Sequence, residues 1–224
     1  MMQLNGSAEP IRSDAEARII TEGMNRVVAV PYLVSMPETR RLLMLVTCDY
    51  PHRPMLMHSD DEGETWSGPR DLYLDEAGKP ELGVGCALTY LGDGTVMMQG
   101  GCGYHRVSHD YGETWAETRP IPPASNGKPW GEWDPPLVDR DPQSGKVVRL
   151  LSFCSDNLQP DGHFQGYVRW SADEGRTWSR DIAVPEMHAV NEASFVRAAN
   201  GFAFASENGA RRSCGSDSGT RKNP

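Results

Sequence analysis

The chain has 224 residues, enough to bury a sizeable core, and carries 31 Asp and Glu against 22 Lys and Arg, for a formal net charge of −9. That balance argues against nucleic acid as a main partner, although a local arginine cluster can still receive an anionic sugar. No run approaches the roughly 20 apolar residues of a membrane span, and residues 1–14 hold no apolar h-region, so no secretory signal is visible and the compartment defaults to the cytoplasm.

Residues 1–24 are polar and mixed and read as an extended lead-in, with a helical turn over 15–20. Residues 27–34 read as a strand, in which Pro31 calls for a bulge or an edge position. A turn at 37–40 leads to a second strand at 42–47, and 49–54 form a loop rich in Pro, Tyr, His and Arg. The third strand, 55–58, enters Ser59-Asp60-Asp61-Glu62-Gly63-Glu64-Thr65-Trp66, and 71–74 leave it. The scheme then starts again. Residues 86–91, the turn Gly92-Asp93-Gly94 and 95–100 have a hairpin signature, and 104–107 enter Ser108-His109-Asp110-Tyr111-Gly112-Glu113-Thr114-Trp115. A third round has strands at 136–139, 146–153 and 166–170 before Ser171-Ala172-Asp173-Glu174-Gly175-Arg176-Thr177-Trp178. Residues 191–197, the turn Asn200-Gly201 and 202–205 open a fourth, and 207–224 read as an aperiodic tail. The five cysteines, Cys48, Cys86, Cys102, Cys154 and Cys214, are scattered and lack CxxC spacing, so they read as buried thiols, with no disulfide framework, metal site or cofactor implied.

The three octapeptides all read S-x-D-x-G-x-T-W, with the tryptophans 49 and 63 residues apart. A unit recurring at that period is a repeat architecture. Ser and Asp can bond nearby backbone N–H groups, Gly accepts a positive φ, Thr starts an outgoing strand and Trp offers a large apolar face. Each octapeptide is therefore a hairpin corner, and Gly63, Gly112 and Gly175 are expected at positive φ. The alternating oxygens of a calcium loop are not laid out in it.

Ser59, Asp61, Gly63 and Trp66, with Ser108, Asp110, Gly112 and Trp115 and with Ser171, Asp173, Gly175 and Trp178, resemble the Asp box, or BNR repeat, of the sialidase superfamily. The resemblance implies an all-β fold, a β-propeller of four-stranded blades, here an open arc of about three and a half. Its blades would span 25–74, 84–121, 133–184 and 190–206. A complete propeller of this family needs considerably more chain, so the sequence reads as a fragment. In that family the box is a structural corner, and it also occurs in propellers that hydrolyse nothing.

The family's active site lies at the central mouth, away from the boxes. Three arginines hold the substrate carboxylate, an Asp is acid and base, and a Tyr nucleophile is paired with a Glu. Guanidinium forks suit a planar carboxylate because they bind it bidentately and stay charged. Carried over, the first arginine's R-I-P motif falls on residues 25–31, where Ala29 holds the in-step position and Arg26 is nearby but out of step. Asp49, ten residues before Ser59 in the loop after the second strand, is the candidate general acid or else a turn residue before Pro51. Arg53 beside it binds an anion or solvates the rim. Glu192 is the candidate partner of the tyrosine. Trp133 is placed to stack on a sugar face and Glu132 and Asp134 to bond hydroxyls, or the loop simply covers a blade rim. No Tyr follows Glu192, and Arg211 and Arg212 lie in the tail, so the chain alone is not expected to hydrolyse.

The resemblance therefore implies a sialidase-like glycoside hydrolase acting on terminal sialic acid or a similar acidic glycan. The alternative is a non-catalytic Asp-box propeller that binds carbohydrate or protein. The departure at R-I-P favours the alternative, and the pairing of Asp49 with Glu192, expected to face one mouth, favours the enzyme.

Overall fold

A computed structural model describes residues 19–100, 103–156, 162–198 and 201–209; of residues 100, 155, 156, 191, 192, 198 and 201–209 it describes the backbone alone. The described chain is all β. The first sheet contains β1 (Val28–Met36), β2 (Arg41–Cys48), β3 (Arg53–Ser59) and β4 (Arg70–Asp71), antiparallel and in chain order. The second contains β5 (Cys86–Gly92), β6 (Thr95–Gly100), β7 (Tyr104–Ser108) and β8 (Glu117–Pro120). The third has β9 (Leu137–Arg140), β10 (Val147–Asp156), β11 (Gln165–Ser171) and β12 (Ile182–His188), again in chain order. A two-stranded hairpin, β13 (Val190–Ala198) with β14 (Gly201–Gly209), follows.

The side-chain period of two explains how these sheets stack. Leu43 and Leu45 of β2 face the second sheet, where Leu88, Val96, Met98 and Trp115 meet them. Their neighbours Val46 and Cys48 point the other way, into a cluster with Met55, Met57 and Trp66. In β6 the division repeats. Val96 and Met98 face the first sheet, and Met97 packs with Leu150 and Trp178 of the third. Strands covered on both faces become near-continuous apolar runs, as in 42–46 and 96–98.

Pro31 lies within a bulge at the edge of its sheet. The register with β2 slips between Ala29 and Tyr32, and Val30 is held at φ 52°. β5 slips in the same place, between Cys86 and Thr89, with Ala87 at φ 56°. Two segments differ from the sequence expectation. β12 continues to His188 as an exposed outer strand with little apolar signature, and β14 runs to Gly209, past the end of the apolar pattern. Of the lead-in turn expected at 15–20, residues 15–18 lie outside the described residues, as do Cys102, Arg211, Arg212 and Cys214.

Up-and-down connectivity sends the loops to two ends. One end holds the β1–β2, β5–β6 and β9–β10 turns and all three octapeptides. The other end holds the lead into β1, residues 49–52, 72–85 and 121–136, and the step from β12 to β13. Contacts confirm the alignment: the Gly83 N–H donates to the His52 carbonyl at 2.8 Å at one end, and Arg140 Nη1 donates to the Leu91 carbonyl at 2.8 Å at the other.

Candidate functional site

The octapeptide end is built for rigidity. In every copy the Ser hydroxyl donates to the Asp carboxylate at 2.7 Å. The same oxygen accepts the Gly N–H at 2.8 Å from Gly63, 2.9 Å from Gly112 and 2.8 Å from Gly175. Asp Oδ1 accepts the Thr N–H at 2.8 Å and Oδ2 the Thr hydroxyl at 2.6 Å. The glycines sit at φ 98°, 86° and 84°, as the sequence requires. The preceding residues, Glu62, Tyr111 and Glu174, are also left-handed, at 62°, 59° and 58°. The Thr65 hydroxyl and N–H, with the Ser59 hydroxyl, hold Asp61 down at about 2. Burial works to raise Asp110 and Asp173, but the matching Thr and Ser bonds outweigh it and keep both below the usual range. Each carboxylate commits three of its about four acceptor sites to its own turn, which makes it a structural part of that corner.

The tryptophans close the turns unequally. The Trp66 and Trp115 indole N–H groups donate to the Gly63 and Gly112 carbonyls at 3.2 and 2.9 Å. Trp178 Nε1 has no acceptor among the described residues.

The opposite end carries the residues expected to do chemistry. Arg26 and Asp49 come together at 3.5 Å, each side chain about one-third exposed (33% and 35%), and Arg26 also lies 2.8 Å from the Met55 sulfur. Asp49 is fixed at φ 60°, its N–H donating to the Val27 carbonyl at 3.0 Å and its carbonyl meeting His52 Nδ1 at 3.2 Å. Arg53 is turned away to Asp71, at 2.5 Å.

Glu132 is buried between the second and third sheets. One carboxylate oxygen lies 2.8 Å from His105 Nε2 and the other accepts the Ser152 hydroxyl, while its N–H donates to the Gln99 side chain. Trp130 Nε1 donates to Ser152 at 2.8 Å and the Cys86 thiol to the Glu132 carbonyl at 2.9 Å. Desolvation works to raise Glu132, yet the His105 ring and the His105 and Ser152 hydrogen bonds outweigh it, so the carboxyl is held below its ordinary value. Burial, then the charges of Glu132 and Asp134, push the Cys86 thiol up to about 12, which leaves it an inert thiol.

Trp133 is 57% exposed, and its carbonyl accepts the Tyr32 hydroxyl of the first sheet. Asp134 is half-buried beside it. A cavity of about 280 Å³ opens among Cys86, Gln99, Trp130, Glu132 and Trp133. Glu192 stands in β13, its backbone opposite Glu207, and its side chain lies outside the described residues. The structure thus joins Asp49 to Arg26 and places Glu132 and Trp133 on the wall of one cavity at the same end, with Asp134 next in the chain but outside that lining. It assigns Arg53 and Glu132 to internal pairs.

Sequence reasoning missed His105, Gln99 and Ser152, because their partners are 20 to 33 residues away. One signal existed: His105 shares the buried face of β7 with Val107, a polar residue in an apolar register. Among the described residues no group of His, Cys, Asp and Glu could hold a metal ion, and no helix is long and apolar enough to cross a membrane.

No protein family and no curated protein matches this chain. Among solved structures it is similar to a candidate glycoside hydrolase from Bacteroides ovatus ATCC 8483, with 14% identity and a TM-score of 0.41, covering 77% of this chain and 58% of that one. The chain therefore spans less than two thirds of that protein's length.

Proposed function

We propose that the chain is an arc of a sialidase-type Asp-box propeller, part of a glycoside hydrolase that removes a terminal acidic sugar such as sialic acid. One observation carries the reading. Three octapeptides closed by the same hydrogen bonds occupy one end of three successive four-stranded meanders, and Asp49 and Arg26 stand together at the other. In this reading Arg26 takes the sugar carboxylate, which releases Asp49 from its ion pair to carry a proton to the leaving oxygen. Trp133 offers its exposed ring to a sugar face, and Glu192 polarises a tyrosine nucleophile.

A second reading is a non-catalytic propeller that binds carbohydrate or protein. It is favoured by the commitment of Arg53 to Asp71 and Glu132 to His105, which removes two ligands from the rim.

Saturation-transfer NMR with a methyl α-sialoside, against methyl galactoside, tests the binding both readings need. Sialoside contact weakened about tenfold or more by Arg26→Ala is expected, the loss of a charge-assisted bond. Contact that ignores Arg26, or no preference for the acidic sugar, would overturn the proposal. Where a fluorogenic sialoside is turned over, Asp49→Asn should cost about 10²–10⁴-fold in rate. Binding with turnover indifferent to Asp49 selects the second reading.

A further inference from the structure

On the perimeter of the seam between the second and third sheets, away from Asp49, lies a second cavity of about 580 Å³. Arg169 of β11 and Trp178 line it, and the exposed Pro122, Pro123, Ser125 and Arg180 stand around it. Arg169 is 1% exposed. Its guanidinium lies 3.9 Å from the centroid of the Trp130 ring and 5.1 Å from that of Trp178, and Nη1 donates to the Pro122 carbonyl at 2.8 Å. The opposite edge is different. Both Nε and Nη2 are buried with no acceptor among the described residues, and so is Trp178 Nε1.

A buried donor without an acceptor is costly, and three at one cavity form a pattern rather than an accident of packing. The nearby carboxylates do not fill the need. Both oxygens of Glu132 are taken by His105 and Ser152, and Asp181 on the cavity wall is taken by the Ser125 N–H and hydroxyl. Burial lowers the Arg169 guanidinium to about 10, which still leaves it cationic at neutral pH. Its Nε and Nη2 hydrogens lie in the guanidinium plane along one edge, the fork that matches the two oxygens of a carboxylate. Trp178 supplies an independent sign: it is the one octapeptide tryptophan whose N–H does not close its own turn, so a donor used internally in two copies is released in the third.

We propose that this cavity binds a small organic carboxylate, its oxygens on the Arg169 fork and the Trp178 indole N–H and its body against Pro122 and Pro123. Ser125 and Arg180 stand at the mouth, where Arg180 adds a second positive charge to draw the anion in.

The test is ¹⁵N–¹H NMR of the indole and arginine Nε resonances during titration with sodium benzoate, with benzamide as the neutral isostere. Saturable shifts of Trp178 and Arg169 with benzoate, and none with benzamide, are expected. The Trp66 and Trp115 signals should stay in place. Arg169→Lys keeps the charge but loses the fork, and should weaken binding about tenfold or more. If that variant does not fold, Trp178→Phe keeps the ring and removes one donor, and benzoate should then bind several-fold more weakly as read at Arg169. No saturable shift, an equal response to benzamide, or unchanged affinity in the folded variants would each overturn the proposal.

Discussion

Alanine substitution of the three octapeptide glycines separates backbone strain from tertiary packing in one chain. All three sit at positive φ, so each Ala bears a left-handed cost of about 1–2 kcal/mol. Their surroundings differ. A Cβ on Gly63 would meet Leu42 Cδ1 at 3.4 Å, an ordinary contact, and one on Gly175 would meet the Met97 sulfur at 3.2 Å, at a flexible side-chain end. On Gly112 it would stand 2.6 Å from Leu43 Cδ2 and 3.2 Å from Cδ1. Leu43 is fully buried in the seam between the first two sheets, so overpacking adds about 1–3 kcal/mol. Gly112→Ala should therefore destabilise by about 2–5 kcal/mol in all, against about 1–2 kcal/mol for Gly63→Ala, with Gly175→Ala between them. Urea unfolding followed by tryptophan fluorescence reads this as a shift in midpoint at constant slope. Leu43→Ala should recover part of the loss in the Gly112→Ala background, giving a less-than-additive double mutant. Equal losses at the three glycines, or full additivity with Leu43→Ala, would refute the argument.

Three further outcomes are expected. Asp61 is held below its unfolded value of 3.8 at about 2, so its contribution is present above pH 3.8 and is lost as pH falls through about 2; carboxyl ¹³C NMR should find that midpoint, and Asp61→Asn should flatten the acid limb of the stability curve. Val30→Gly relieves a β-branched residue at φ 52° whose side chain is already 38% exposed, and should raise stability by about 1 kcal/mol in the same unfolding assay. His105→Ala leaves Glu132 a buried carboxylate without its main partner and should cost about 3–5 kcal/mol, measured by chemical denaturation against Glu132→Gln, which should cost less.

What the sequence discloses here follows from the range of the interactions. The octapeptide turns are local, so Ser, Asp, Gly and Thr announce them directly, and the strands entering them follow from their apolar runs. Pro31 announces its bulge for the same reason. The left-handed Glu62, Tyr111 and Glu174 were not legible, because Gly is the residue that signals a positive φ and these positions are held by the bonds around them. β12 was poorly legible because its exposed, mixed sequence has no face to bury. At the candidate site the loop positions of Asp49 and Arg26 were legible, but their contact at 3.5 Å was not. The commitment of Arg53 to Asp71 was not legible either, nor was the contact between Glu132 and His105 across two sheets.

The contiguity of each sheet in the chain also shapes how the protein comes apart. Because strand order follows chain order, each sheet among the described residues is built from its own stretch, and the seams seen there join consecutive sheets. Such an array behaves as a one-dimensional series of units coupled to their nearest neighbours. Its amide protons should therefore exchange in blocks. Loosening the Leu43–Gly112 seam should speed exchange in β2 and β6, while the β10–β11 ladder, with Phe153 opposite Val168, keeps the protection of the third sheet. Damage in this chain is thus compartmented, and one failing seam leaves the next sheet closed.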